Sequence, residues 1–341
     1  MQNCNKMASW KLFFITCMLF TSQILFGQHL VILTDSSVTT SIRTLSAVGN
    51  RIIWAAGSNG QVAKSTDGGQ HWHWLTVNDF ATRDFRAIQA FDENEAIIMA
   101  VGEPALLLKT TDGGLHWNTI FTNCTKGMFL DALFFINSEK GWVIGDPVSG
   151  QHPFMATTIN RGNTWDTLTK GLPVFENGEA FFASSNSNIF IWTNTNERWM
   201  ISGGTASKLY INNISAYPLP MLQGTFSQGA NSIDCYDTTC IVVGGDFMQD
   251  KIAKGNAAIV KINKTIRIDN PIQLPNGYRS CVKHVSDKIW ICCGTSGVDI
   301  SHDDGLHWLP ISKASFHTIC VTENKKVFLA GNKGRIAQLI L

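Results

Sequence analysis

The sequence predicts an all-β fold, a seven-bladed β-propeller of four-stranded antiparallel blades whose ring is closed by strands from both chain ends. Three observations carry that expectation. One eight-residue motif returns at a near-constant interval, and short apolar strands alternate with Gly- and Asn-rich turns between its copies. The strands also group into seven sets of four only if the N-terminal segment completes the last set.

The motif first appears as Ser65-Thr66-Asp67-Gly68-Gly69-Gln70-His71-Trp72. It returns at Thr110–Trp117 after 45 residues, at Thr158–Trp165 after 48 more, and at Ser301–Trp308 after a further 143, close to three periods. The shared positions are Ser65, Asp67, Gly69 and Trp72; Thr110, Asp112, Gly114 and Trp117; Thr158, Asn160, Gly162 and Trp165; Ser301, Asp303, Gly305 and Trp308. A self-similar unit of this length marks a stacked or radial repeat. The hydroxyl and the Asp or Asn can hold a tight turn through local hydrogen bonds. The Gly admits a backbone conformation that a side chain penalises. The Trp buries a large ring against the neighbouring unit and needs one partner for its N–H. This motif resembles the Asp-box, or BNR repeat, of sialidases and their relatives. The resemblance implies a place on the turn between the two outer strands of a blade, as a staple and not as a metal or substrate site.

In chain order, unit one reads as strands at Ile42–Val48, Arg51–Gly57, Gln61–Ser65 and Trp74–Val77, the complement of one blade. Unit two spans Phe85 to Phe121, unit three Leu130 to Leu168, unit four Gly178 to about Leu219, and unit six Tyr278 to Ile311. Lys208–Asn213 and Ala258–Lys264 look like third strands whose turns have lost the motif, so units four and five are worn blades. The last unit supplies His317–Val321, Val327–Gly331 and Arg335–Leu341 and lacks one strand. His29–Leu33 can supply it, and closure removes the open sheet edges that invite aggregation. Six or eight blades would be less economical. Residues 28–341 thus read as one domain.

Composition sets outer limits. The 341 residues carry a formal net charge of +1, with 16% charged and 44% hydrophobic, and no basic excess that would suit nucleic acid. Lys6 and Lys11 precede an apolar run from Leu12 to Phe26 that ends at Gly27-Gln28, so residues 1–27 read as an export signal. The run is short for a membrane span, although a retained anchor is the rival reading, and no later stretch is apolar enough to cross. The destination is then the periplasm, the outer surface or the exterior. Nine cysteines less Cys4 and Cys17 leave seven beyond the signal. Cys235 and Cys240 lie symmetrically about one turn and Cys281 and Cys292 about another, so each pair is a candidate disulfide in an oxidising compartment, with reduced core thiols the alternative. No spacing suits zinc, and no glycine-rich strand-to-helix fingerprint suggests a nucleotide cofactor. No cofactor or metal is expected.

Aligning the seven first strands exposes a polar column at Arg43, Arg86, Asp131, Glu179, Asn231, Arg279 and His317. In a propeller the first strands line the central channel, so this column would ring one mouth, cationic on one side and acidic on the other. The turns between second and third strands open on the same face and add Glu103, Asp146 and Asp246; Tyr278 lies beside Arg279. The candidate ligand or partner residues are therefore Arg43, Arg86, Asp131, Asp146, Glu179, Asp246, Tyr278, Arg279 and His317. A purely structural ring of ion pairs is the competing reading.

A closer resemblance follows from Asp84-Phe85-Arg86, Gly145-Asp146-Pro147-Val148, Gly178-Glu179-Ala180, Gly244-Gly245-Asp246 and Gly277-Tyr278-Arg279-Ser280. These look like motifs of exported bacterial BNR-repeat proteins related to the photosystem II stability and assembly factor of plants and cyanobacteria. The resemblance implies a seven-bladed propeller and a helper role without catalysis, with an arginine-bearing face meeting the client. Arg43, Arg86 and Arg279 match that face by type, and nothing here implies photosynthesis. The expected function is a scaffold for a protein client or an anionic small molecule or glycan, since arginine forks suit carboxylate and phosphate. The alternative is a sialidase-like hydrolase, with those arginines as the cluster, Tyr278 as nucleophile and Glu179 or Asp131 as its partner. The Phe/Tyr-Arg-Ile-Pro signature of sialidases is absent. A redox enzyme has no residue to support it, and the sequence is silent on oligomeric state.

Overall fold

The computed structural model describes residues 28–34 and 38–341. The expected export signal at residues 1–27 lies outside the described residues. The described chain contains strands and no helix, arranged as seven antiparallel blades.

Blade 1 pairs Ile42–Val48, Ile52–Gly57, Gln61–Ser65 and His73–Thr76 in chain order, and blades 2 and 3 repeat the meander from Phe85–Ala90 and Leu130–Phe135. Blade 5 opens with Gln228–Tyr236 and blade 6 with Cys281–Ser286. Blade 7 takes Thr318–Val321, Val327–Ala330 and Ile336–Ile340 from the C-terminus, and its outermost strand, His29–Ile32, from the N-terminus. His29 faces Ile340 and Ile32 faces Ala337, so the two chain ends close the ring as expected. The second strands are the most buried: all five residues of Ala96–Ala100 and of Gly141–Gly145 are inaccessible.

The core is a series of inter-blade seams. One apolar cluster joins Trp54 and Val62 of blade 1 to Phe85 and Ile98 of blade 2, the next joins Ile97 and Leu107 to Leu130 and Val143, and the pattern continues around the ring. Each such side chain contributes roughly 1.5–3 kcal/mol on burial.

The Asp-box turns fasten these seams. In the first box, Ser65 Oγ donates to Asp67 Oδ1 at 2.9 Å and accepts from the Gly69 amide at 2.9 Å, while Asp67 Oδ1 accepts the His71 amide at 3.0 Å. The same bonds recur in the boxes at Thr110, Thr158 and Ser301. The indole N–H of Trp72, Trp117 and Trp165 donates to the carbonyl of the box glycine at 3.1 Å. Each box glycine abuts the preceding blade. A Cβ on Gly69 would lie 2.5 Å from Phe328, on Gly162 2.3 Å from Ile97, and on Gly305 2.4 Å from Ile241.

Two expectations are corrected. Cys235 and Cys240 face each other and are disulfide-bonded, but Cys281 and Cys292 are both free. The hairpin turns at Asp287-Lys288, with Ser286 facing Ile289, and even after a bulge between His284 and Ser286 Cys281 faces Cys293, while Cys292 faces Val282 and packs in a different seam. Blade 4 also departs from its neighbours. Its inner strand is split: Glu179–Ala180 pairs with Gly203–Gly204 and joins the blade 5 sheet, and Ile189–Ile191 begins blade 4's own four strands. Between them residues 181–188 cross the channel. Ala183 O accepts from Arg86 of blade 2 at 3.4 Å, and Asn186 Oδ1 accepts from Leu133 N of blade 3 at 2.8 Å. Ser187 O accepts from Ile233 N of blade 5 at 2.8 Å, and Ser185 Oγ donates to Ser280 O of blade 6 at 2.6 Å. This excursion is a floor across the channel.

Candidate functional site

The inner strands of blades 1, 2, 3 and 5 all carry a bulge at the same level. Register slips between Ile42 and Thr44, Phe85 and Ala87, Leu130 and Ala132, and Ala230 and Ser232. The extra residues are Arg43, Arg86, Asp131 and Asn231. A bulge re-aims one side chain without ending the ladder, and all four line one cavity of about 670 Å³. His317, Tyr278 and Ser280 join them from the segments entering blades 7 and 6, and Asp146 from the turn after Gly141–Gly145. Phe181, Phe182, Ala183 and Ser184 of the channel floor complete it, with Phe129, Phe226 and Phe247.

The cavity therefore brings together six of the nine expected residues: Arg43, Arg86, Asp131, Asp146, Tyr278 and His317. Arg279 is a correction. A Cβ on Gly57 would meet the Ile42 Cα at 2.9 Å, and one on Gly294 would meet the Arg279 Cα at 3.0 Å. Arg279 thus occupies the Ile42 position, and the inward position of blade 6 belongs to Ser280. The Arg279 side chain is buried, donates through Nε to Asp299 at 2.5 Å and through NH1 to Ser296 at 2.7 Å, and is a structural ion pair. Glu179 is displaced in the same way, with Ala180 inward. Its carboxylate accepts from Tyr210 Oη at 2.6 Å, Ser202 Oγ at 2.5 Å and Lys208 Nζ at 3.2 Å. It borders a smaller recess of about 470 Å³ beside the cavity, with Glu176 and Asp146. Asp246 accepts the Met248 amide at 2.9 Å and Gln228 Nε2 at 3.1 Å, holding the turn that presents Phe247.

Charge divides the cavity. The Arg43 guanidinium has no ion pair among the described residues, and its Nε is buried without an acceptor. Burial, reinforced by Arg86, lowers its pKa. Arg86 donates through Nε to Asp84 at 2.8 Å and lies over the Phe129 ring. His317 is pushed down to about 4 by burial and then by Arg43, so it is neutral at pH 7, with Nε2 2.9 Å from Asn332 Oδ1. On the acidic side Asp131 is fully buried, and neither carboxyl oxygen has a well-formed hydrogen bond. Burial and the neighbouring Asp146 raise its pKa well above the usual range; Arg86 and two nearby amides offset only part. Burial lifts Asp146 to about 6 although it accepts the Phe181 amide at 2.8 Å. The Tyr278 hydroxyl, raised by burial, donates to Asn231 Oδ1 at 2.9 Å.

Sequence reasoning missed Phe181, Phe182, Ala183 and Ser184. The available signal was the run Ser184-Ser185-Asn186-Ser187-Asn188, too polar and β-poor for an inner strand. Among the described residues no group of His, Cys, Asp and Glu could hold a metal ion, and no helix is long and apolar enough to cross a membrane.

Residues 47–125 match the family described as photosynthesis system II assembly factor YCF48. That match covers blade 1 from the end of its first strand and all of blade 2, so it includes Arg86 and leaves out Arg43. No curated protein matches the chain. A solved structure of YCF48 bound to D1 peptide is similar over 92% of this chain and 95% of its own, at 17% identity and a TM-score of 0.64. YCF48 from Cyanidioschyzon merolae is similar over 91% of this chain and 98% of its own, at 15% identity and a TM-score of 0.64. A streptogramin B lyase shares the fold nearly as well, at 13% identity, a TM-score of 0.63, and 92% and 98% coverage. The chain is thus a propeller similar to YCF48, while the fold by itself also serves a lyase. Function has to be argued from the site.

Proposed function

We infer that this chain is a non-catalytic binding scaffold that holds a segment of a protein client at the cavity mouth, in the manner of an assembly helper. The observation that carries this reading is the Arg43 guanidinium, which faces the cavity beside Arg86 with no protein acceptor. A half-buried cation whose buried Nε lacks an acceptor is costly, and a client carboxylate would relieve that cost through charge-assisted hydrogen bonds. The surrounding Phe129, Phe182, Phe226 and Phe247 suit the apolar side chains of a peptide. A YCF48 structure that holds a D1 peptide lends support by likeness of fold. An anionic glycan or small molecule would use the same arginines. Export to the periplasm, outer surface or exterior is part of the proposal. It rests on the apolar run after Lys11 and agrees with the Cys235–Cys240 disulfide.

The hydrolase alternative is weaker. Its arginine cluster loses Arg279 to Asp299, and Tyr278 is a hydrogen-bond donor whose pKa is raised, the opposite of an activated nucleophile.

The test compares the chain with its Arg43→Gln variant by thermal shift and calorimetry against acidic peptides, sialic acids, uronates and sugar phosphates. Acidic peptides that stabilise the wild type and bind the variant about tenfold or more weakly support the scaffold. Turnover of a sugar substrate would move the reading to the hydrolase, and indifference of both proteins to every anion would overturn it.

A further inference from the structure

The arginines account for one side of the cavity and leave the other unexplained. Asp131 and Asp146 line it together, and neither has an ion pair among the described residues. Arg86 acts on Asp131 through space but commits its Nε to Asp84. The recess that shares Asp146 and Ala180 with the cavity adds Glu176 and Glu179. Lys208 lies beside these two and is already engaged with both, at 2.6 Å and 3.2 Å. Four carboxyl groups therefore stand in adjoining walls, and the two that face the main cavity have no cation of their own.

Asp131 is the decisive member. It is fully buried, it lines the cavity, and neither oxygen has a well-formed hydrogen bond, the Asp146 and Ala183 amides being its nearest donors. Buried polar groups in native proteins are nearly always satisfied, and an exception that fronts a cavity is a candidate contact for the cavity's occupant. The bulge that turns Asp131 inward is the same device that turns Arg43 and Arg86 inward from blades 1 and 2. Asp146 keeps partial exposure, so an incoming group meets it first.

We propose that the acidic wall is a second subsite for an ammonium group, and that the occupant of this cavity is an amphoteric peptide segment bearing both a carboxylate and a lysine-type amine. The carboxylate pairs with Arg43 and Arg86, the amine pairs with the Asp146 carboxylate and donates a hydrogen bond to the buried Asp131 carboxyl behind it, and an apolar side chain lies between them against Phe182 and Phe247. This rests on the scaffold reading and narrows it: a purely anionic client would satisfy the cationic wall and leave the carboxyls unmatched. Electrostatic complementarity of this two-sided kind selects register and direction more than raw affinity.

The probe is a set of acetylated, amidated peptides, each with one Asp, one Phe and one Lys, the two charges separated by one to four residues. Each is paired with a version in which norleucine replaces lysine and keeps the aliphatic stem. Calorimetry should find at least one separation at which the lysine peptide binds about tenfold more tightly than its norleucine partner. That preference should vanish in Asp146→Asn, whose amide oxygen still accepts the Phe181 N–H, and shrink in Asp131→Asn. Equal binding of the two versions at every separation, or a preference that survives Asp146→Asn, overturns the amine subsite. The scaffold reading then stands if binding still depends on Arg43. Failure of every peptide to bind the folded wild type overturns both.

Discussion

The two ends of this propeller are built on opposite rules. At the Asp-box end four turns repeat the same bonds to within about 0.1 Å: hydroxyl to carboxylate or amide oxygen, glycine amide to hydroxyl, and the final amide back to the box oxygen. At the other end the repeat supplies only an inward position, a bulge in blades 1, 2, 3 and 5, and each blade fills it differently: Arg43, Arg86, Asp131, Ala180, Asn231, Ser280, His317. Repeated polar bonds mark the staple, where among the box side chains the Trp308 indole N–H of the fourth turn lacks a partner. Unsatisfied and unrepeated polar groups mark the mouth, where stability is forgone for some other end.

The largest effect expected from this contrast compares glycines. Gly162 in the third box has φ +77° and would place a Cβ 2.3 Å from Ile97 of the preceding blade, whereas Gly102 at the mouth has φ +81° and open space around it. Alanine at Gly102 bears only the backbone penalty, about 1 kcal/mol. Alanine at Gly162 adds overpacking of a seam, for a total loss of about 2–4 kcal/mol. Urea midpoints of the two variants measure the difference directly. Equal losses would mean that the box glycine matters for its turn alone and does not clamp the blades.

A smaller effect of opposite sign is expected from Asp131. Replacing a buried carboxyl that has no ion pair and no well-formed hydrogen bond with an isosteric amide should raise stability at pH 7 by about 1–3 kcal/mol. Box aspartates, whose oxygens are fully engaged, should lose stability on the same Asp→Asn change. A destabilised Asp131→Asn would show that the carboxyl has a structural partner and would return the mouth to the ion-pair-ring reading.

How much of this was legible follows the same division. The box recurs in sequence because its bonds are local, running from a residue to the second, third and fourth after it, so period and blade number could be read directly. Ring closure was legible because a three-stranded unit leaves an unpaired edge that His29–Ile32 satisfies. The mouth was legible only where the inward residue stands directly before a regular apolar run, as at the bulge residues Arg43, Arg86 and Asp131 and at His317. At Glu179 and Arg279 a charged residue sits one place before the inward position, and polarity by itself cannot tell the two places apart. There the register is set by bonds to distant residues, Glu179 to Tyr210 and Arg279 to Asp299. The floor at residues 181–188 was illegible for the same reason, since its partners come from four other blades.

The smallest predicted effect separates the two ends by pH. Asp112 is held down to about 2 by the amide and ring of His116. A depressed carboxyl contributes stability that is present above its unfolded value, about 3.9, and is lost as pH falls toward 2. Asp146 is lifted to about 6 by burial. Between about 4 and 6 the folded state holds a proton there that the unfolded chain has released, so its contribution falls as pH rises. His317, lowered to about 4 by burial, runs the other way across that window because the unfolded imidazole takes up the proton. The wild-type curve mixes these slopes, and only variant differences isolate them. The deficit of Asp112→Asn relative to wild type should grow from pH 2 to 4 and then stay level. The advantage of Asp146→Asn should be small at pH 4 and grow through pH 6, as read from urea midpoints at matched ionic strength. If the two differences follow the same pH course, burial at the mouth is not what sets the Asp146 carboxyl, and the contrast between the two ends loses its electrostatic half.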